Sequence, residues 1–178
     1  MESTLAAIRY ANQSDVPVVL NPSPLREDFP WGKCDIRTLI VNAGEAESIF
    51  GLSPSNQGIR SWSKALAKYR VSELIVTRGA RSTVCFTKHK RFEVDTLRVR
   101  PVDTVGAGDA FAGTFVARRA EGLGLQLAIK LANCAGALTT LKPGAQEAIP
   151  TRRATEHAVH KIRVGLKNGL IPKARRAV

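Results

Sequence analysis

The chain has 178 residues, 44% hydrophobic and 6% aromatic, which fits one globular domain with a sizeable core and excludes a disordered chain. A net charge of +12 would suit a nucleic-acid surface, but the densest basic clusters, 87–91 and 172–178, carry no interleaved aromatics for base stacking, so nucleic acid is not the expected partner. No apolar run reaches the roughly 20 residues of a membrane helix, and the three cysteines, Cys34, Cys85 and Cys134, form no CxxC pair, so a zinc site or disulfide framework is not indicated and a reducing, cytoplasmic setting is expected.

The first residues read as the later part of a helix, with Leu5, Ile8 and Ala11 at helical spacing. A short β-branched run, 16–21, reads as a buried strand, stopped by Pro22 and Pro24. Residues 38–42 read as a second buried strand and 44–52 as a short helix. Between 56 and 71, Ile59, Trp62, Leu66 and Tyr69 share one face of an amphipathic helix. Residues 73–79 predict a third buried strand ending in glycine. The stretch 82–103 mixes β-branched residues with charges, as partly exposed antiparallel strands do. Two helices are expected at 110–122 and 125–141, the second largely buried and broken by Pro143 and Gly144. A last amphipathic helix is expected over 151–170, with Thr151 as its N-cap. His157 and His160 could share a helix face, but no carboxylate or thiolate cluster joins them as a metal site would require.

Strands alternating with helices predict a mostly parallel sheet covered on both faces, with ligands at the carboxyl ends of its strands. Asn42, Gly79 and a glycine-rich stretch all lie just beyond predicted strand ends. That stretch, "DTVGAGDAFAG" at 103–113, places three glycines and two aspartates directly before or within the start of a helix. Glycine lets a ligand approach the main chain closely, and a helix N-terminus offers free N–H donors and a partial positive charge. Together they suit a phosphate. Asp109 fits two roles there: a cap for the helix's own N–H groups, or a base that takes a proton from an attacking hydroxyl. Asn42 and Glu45 likewise read as the two members of a capping box.

The same segment resembles the signature of the ribokinase-type, or PfkB, carbohydrate kinases. Other stretches resemble that family in order and spacing: "LNPSP" at 20–24, "VNAGEAESIFG" at 41–51, "VTRGARS" at 76–82 and "KPGAQEAIP" at 142–150. The resemblance implies a ribokinase-like three-layer αβα sandwich over residues 1–170, truncated at the N-terminus, with 171–178 a basic tail. It implies ATP-dependent phosphorylation of a sugar primary hydroxyl, with D-ribose the first candidate and another sugar or a nucleoside the alternative. Asp109 matches the catalytic base, and Val105, Gly106, Ala107 and Gly108 match the anion hole. Asn42, Thr77, Gly79, Gly108 and Asn133 match nucleotide contacts, with a helix-surface asparagine the plain alternative for Asn133. Asn42 and Glu45 match the pair that steers Mg²⁺ through waters. Asp103, Val105, Thr139, Lys142 and Gly144 match contributors to a monovalent-cation (K⁺) site, where Ala148 replaces a hydroxyl ligand. Ser82 stands where a glycine is common. The family's sugar-binding aspartate, Gly-Gly stretch and β lid have no counterpart here. The chain therefore resembles the carboxyl-terminal, nucleotide-binding half, and it is expected to bind ATP weakly and not to phosphorylate sugar efficiently alone. A homodimer is an expectation for a full-length parent.

Overall fold

The computed structural model describes residues 2–55, 58–162 and 164–165. Six strands form one sheet in sequential order: β1 (Val19–Leu20), β2 (Ile36–Asn42), β3 (Val71–Thr77), β4 (Thr83–Thr87), β5 (Arg91–Val94) and β6 (Val164–Gly165). β1, β2 and β3 run parallel; β4, β5 and β6 continue antiparallel. The sheet is thus mixed. Its parallel half carries the runs predicted from 16–21, 38–42 and 73–79, and the charged stretch 82–103 supplies the antiparallel hairpin, as its composition suggested.

Helices cover both faces, which gives the three layers. α1 (Glu2–Gln13), α2 (Ala43–Phe50) and α3 (Ile59–Lys68) pack on one face. There Ile8, Phe50, Trp62 and Leu66 meet Leu39, Val41, Leu74, Val76 and Phe86. Trp62 is fully buried and stacks on Phe86 with ring centroids 4.5 Å apart. α4 (Ala107–Ala120), α5 (Leu125–Thr139) and α6 (Arg152–Ala158) pack on the other. Phe111, Phe115, Ile129 and Ala132 there meet Ile40, Ile75, Cys85 and Phe92. The alternation is that of a strand: Ile40 and Ile75 are paired and point one way, while Leu39 and Leu74 are paired and point the other. Both faces are apolar because both are covered, so β2 and β3 read as continuous hydrophobic runs.

Two expectations change. The first strand is shorter than 16–21, because Pro17 lacks an N–H and Asp15 takes a left-handed φ of 54°, so regular pairing starts only near Val18, whose carbonyl accepts from Thr38 N–H at 3.1 Å. The last helix ends at Ala158 rather than 170. It passes through one 3₁₀ turn, Val159–Lys161, and an extended, buried Ile162 into β6, which pairs with the edge of β5. Sheet hydrogen bonds outside the helix, and a buried place for Ile162, win over continued helical spacing. The basic tail 171–178 lies outside the described residues. Among the described residues no helix is long and apolar enough to cross a membrane.

Candidate active site

β2 and β3 end side by side, with Asn42 opposite Thr77. β4 starts at the same end and β5 finishes there, because Thr83 pairs with Val94. One end of the sheet therefore gathers the start of α2, the turn 78–82 and the segment after β5. The amino end of α4 joins them through α5.

At the end of β2, Asn42 caps α2. Its side-chain oxygen accepts from Glu45 N–H at 2.9 Å, and Glu45 Oε2 accepts from Asn42 N–H at 2.8 Å. The capping-box reading of this pair is what the structure contains. Asn42 is exposed and Glu45 half-buried, and both remain oxygen donors of the kind Mg²⁺ takes through its water shell. The pair fits such an ion in an outer-sphere role. Among the described residues no group of three or more His, Cys, Asp or Glu side chains is assembled to hold a metal directly.

Thr77 donates its hydroxyl to the Val41 carbonyl at 3.3 Å, tying the two strand ends together. Gly79 follows with φ 60°, the left-handed conformation that glycine adopts without penalty, and starts the reversal into β4. The turn closes on Ser82, whose hydroxyl and carbonyl both bind the Arg78 guanidinium. The glycine common at this place is thus replaced by a residue with a bond to make. Beside the turn lies a cleft of about 650 Å³, lined among others by Arg81, Ser82, Asp95, Thr96 and Arg98.

Asn133 is corrected on one point. It is 5% exposed, not a helix-surface residue. Its amide N–H groups reach the carbonyls of Val94 and Asp95, each at 3.1 Å, and its oxygen accepts from Thr83 at 2.6 Å. With these bonds made and little surface left, its amide is turned to the sheet. It positions the ends of β4 and β5 and the start of the cleft wall rather than presenting a polar atom to a ligand.

The glycine-rich segment begins with Asp103. One carboxylate oxygen accepts from Val105 N–H at 3.0 Å and the other from Gly144 N–H at 3.1 Å. The Val105 and Gly144 amides hold this carboxyl below the usual carboxylate range. Asp103 thereby joins the loop before α4 to the loop after α5. That second loop also accepts Val102 N–H on the Thr140 carbonyl at 2.7 Å. Thr139 is fully buried and spends its hydroxyl on the Ala135 carbonyl, so it could offer a cation only its backbone. The Asp103 carboxylate is an oxygen donor of the kind a hard cation takes, and both of its oxygens already accept amide N–H groups; Ala148 adds no side-chain oxygen.

Gly106 is the N-cap of α4, with φ 77° and ψ −5°. Asp109 therefore sits in the third helical position and is not the cap. Its side chain is exposed, and among the described residues it makes no side-chain hydrogen bond. Of the four expected anion-hole residues, two have their N–H groups committed inside the turn: Val105 to Asp103, and Ala107 to the Thr104 carbonyl at 3.3 Å. Among the described residues Gly106, Gly108 and Asp109 keep N–H groups with no backbone acceptor outside the helix. Among the described residues, the free amides at this end of α4 are therefore those of Gly106, Gly108 and Asp109. No side-chain signal could have told these amides apart, since the turn alone decides which are used. α5 holds this end of α4 closely: a Cβ on Gly136 would lie 3.1 Å from the Ala107 carbonyl oxygen.

The sequence gives no sign that Glu93 and Arg78 belong together. They lie fifteen positions apart and meet only through the β4–β5 pairing.

The pfkB family carbohydrate kinase description matches residues 2–152. The chain is 34% identical over 149 residues to a ribokinase of Bacillus subtilis (strain 168), covering 83% of this chain and 48% of that protein. It is similar to the crystal structure of a ribokinase from Cryptococcus neoformans var. grubii serotype A in complex with ADP, at 31% identity and a TM-score of 0.72, covering 88% of this chain and 57% of that one. It is also similar to a fructokinase double mutant from Vibrio cholerae O395 in a fructose-, ADP- and potassium-bound form, at 27% identity and a TM-score of 0.73, covering 89% and 55%. The chain spans about half the length of the curated relatives it matches.

Proposed function

The chain belongs to the pfkB family of carbohydrate kinases, and from that premise we propose that it is the nucleotide-binding, phosphoryl-transferring part of an ATP-dependent sugar kinase. The observation that carries this reading is the start of α4: free amides at Gly106, Gly108 and Asp109, with the exposed Asp109 carboxylate on the same turn.

In the proposed reaction a sugar primary hydroxyl attacks the terminal phosphorus of ATP. A new O–P bond forms, the bond from that phosphorus to the ADP oxygen breaks, and the hydroxyl proton passes to Asp109. The amides at the start of α4 face negative charge that builds on the moving phosphoryl group, aided by the helix dipole. The cleft beside Ser82 and Asp95 receives the nucleoside end, with Thr77 and Gly79 on the strand end and turn that lead to it. Mg²⁺, steered by Asn42 and Glu45, would neutralise charge on the phosphates. A monovalent cation beside Asp103, with carbonyls of Val105, Thr139, Lys142 and Gly144, would stiffen the loops that form the anion hole.

D-ribose is the first substrate we propose, on the strength of the ribokinase likenesses. The relatives also include a deoxyribokinase and a probable fructokinase, which keeps other sugars as the second reading. The residues that would choose between them belong, in this proposal, to a sugar-binding half outside this chain. Heating the chain with and without ADP and Mg²⁺ tests the proposal. Ligand that binds only the folded state raises the melting midpoint by mass action. No shift at millimolar ADP refutes nucleotide binding, and efficient ribose phosphorylation by the chain alone refutes the need for a separate sugar-binding half.

A further inference from the structure

Two arginines and a serine converge on one carboxylate beneath the turn that follows β3. Arg78 Nε donates to the Ser82 carbonyl at 2.7 Å. Its Nη2 donates to the Ser82 hydroxyl and to Glu93 Oε2, the latter at 2.9 Å. The Ser82 hydroxyl donates to the same Oε2 at 2.7 Å, and Arg91 Nη2 donates to Oε1 at 2.7 Å. The Arg78 and Glu93 side chains are only 14% and 20% exposed, so this is not a surface ion pair loosened by water. Partial burial alone would raise the Glu93 carboxyl, yet bonds from Ser82, Arg91 and Arg78 hold it down to about 2.

The cluster joins three places that matter to the proposed site. Arg78 lies between Thr77 and Gly79. Ser82 lines the cleft. Glu93 on β5 lies two residues before Asp95, which lines the cleft too. Gly79 at φ 60° leaves open space where a Cβ would be, so no packing presses on the turn there. One backbone bond closes it, Arg81 N–H to the Arg78 carbonyl at 3.2 Å, and the Arg78–Ser82–Glu93 bonds span it from end to end.

We propose that Arg78, Ser82 and Glu93 form a clamp that positions the turn 78–82 for the nucleoside part of the nucleotide, so that the ligand meets a loop already in its bound shape. The proposal rests on the reading of this cleft as the nucleotide site. None of the three is a catalytic residue; each acts through the backbone it holds. A loop ordered in advance loses less freedom on binding, and that difference appears as affinity. The clamp should therefore strengthen binding of the nucleoside end and leave untouched the phosphate-facing amides of α4, which belong to another element.

Calorimetry on the full chain, with ADP and with inorganic pyrophosphate as separate probes, tests this at a temperature where every variant is folded. Ser82→Ala and Glu93→Gln should each raise the ADP Kd about fivefold to tenfold, on the scale of a lost preorganising bond. Ser82→Thr keeps the hydroxyl and should bind ADP more tightly than Ser82→Ala. Pyrophosphate affinity should stay constant throughout. Combining Ser82→Ala with Glu93→Gln should add little beyond either alone, because both break one network. Unchanged ADP affinity in both single variants overturns the clamp. So does a parallel loss of pyrophosphate affinity, which would report general damage, and so does a Ser82→Thr variant as weak as Ser82→Ala. An unsubstituted chain that binds neither probe removes the nucleotide reading itself, and the clamp with it; normal binding with indifferent variants removes only the clamp.

Discussion

The α-carbon of Gly106 faces the backbone of Ala145 so closely that a Cβ at 106 would lie 3.0 Å from the Ala145 carbonyl oxygen and 3.1 Å from its α-carbon. The loop after α5 thus presses on the cap of α4, and Asp103 bonds both sides of the contact. Gly106→Ala meets backbone, which yields little, and also forces a φ of 77° on an L side chain, a cost of about 1–2 kcal/mol before the contact is counted. The melting midpoint should fall clearly, and pyrophosphate binding should fall with it. Gly108→Ala is the control. Nothing lies within 4 Å of a Cβ there, so stability should hold or rise slightly, since alanine favours a helix. Pyrophosphate affinity should nevertheless drop, because a methyl group would stand between ligand and amide. Loss of stability in Gly108→Ala, or none in Gly106→Ala, would contradict this division.

Asn133→Ala should cost about 2–4 kcal/mol of unfolding free energy in urea titration, because it leaves the Thr83 hydroxyl and the Val94 and Asp95 carbonyls to find new partners in a buried place. Asn133→Asp should be no better, since a carboxylate offers no N–H to those carbonyls and would be charged where water is scarce. A cost below about 0.5 kcal/mol, as for a surface position, would return Asn133 to the helix exterior.

Local signals carried most of the architecture. β2 and β3 were legible because a strand covered on both faces is an unbroken apolar run, and α3 because Trp62 and Leu66 recur at helical spacing. Asn133 was not, because α5 is apolar nearly all round, so no stripe marks which way a lone asparagine points. The end of α6 is not legible because its apolar spacing continues past Ala158, while the free edge of β5 that captures Val164 is a non-local fact. At the candidate site, residue types were readable and commitments were not. Sequence placed glycines and Asp109 at a helix start, but only the turn decides that Val105 and Ala107 spend their N–H groups internally. Glu93 stayed hidden, since a single glutamate in a charged strand resembles any solvated residue until the hairpin brings Arg78 and Ser82 to it.

Acid should destabilise the protein through two carboxylates. Glu93 and Asp103 both have folded-state pKa values lowered from their ordinary ones, Glu93 from 4.5 to about 2. Each therefore contributes stability fully above its unfolded pKa, and loses it as pH falls toward the folded value. For Glu93 the loss runs from about pH 4.5 down to about 2. Melting midpoints from pH 6 to about 2.5 should show a steep acid limb, and Glu93→Gln should flatten part of it while lowering the plateau. A variant whose curve merely shifts down, parallel to the original, would mean that Glu93 is not held as its three donors imply.

Asp109 separates binding from chemistry. Its carboxylate is exposed in the third position of α4, where a negative charge also favours the helix N-terminus, so Asp109→Asn should cost only a few tenths of a kcal/mol in stability. The asparagine is nearly the same size and leaves the Gly106 and Gly108 amides in place. It cannot accept the proton of an attacking hydroxyl. In a protein that joins this chain to the sugar-binding half proposed above, kcat for ribose phosphorylation should fall by about 10²–10⁴, while the Kd for ADP changes less than about threefold. Removing a charge that repels phosphate should tighten ADP binding slightly, and that sign distinguishes a base from a binding residue. If turnover and ADP affinity fell together, Asp109 would be holding the nucleotide; if turnover stayed within a factor of about three, the proton would be leaving by another route.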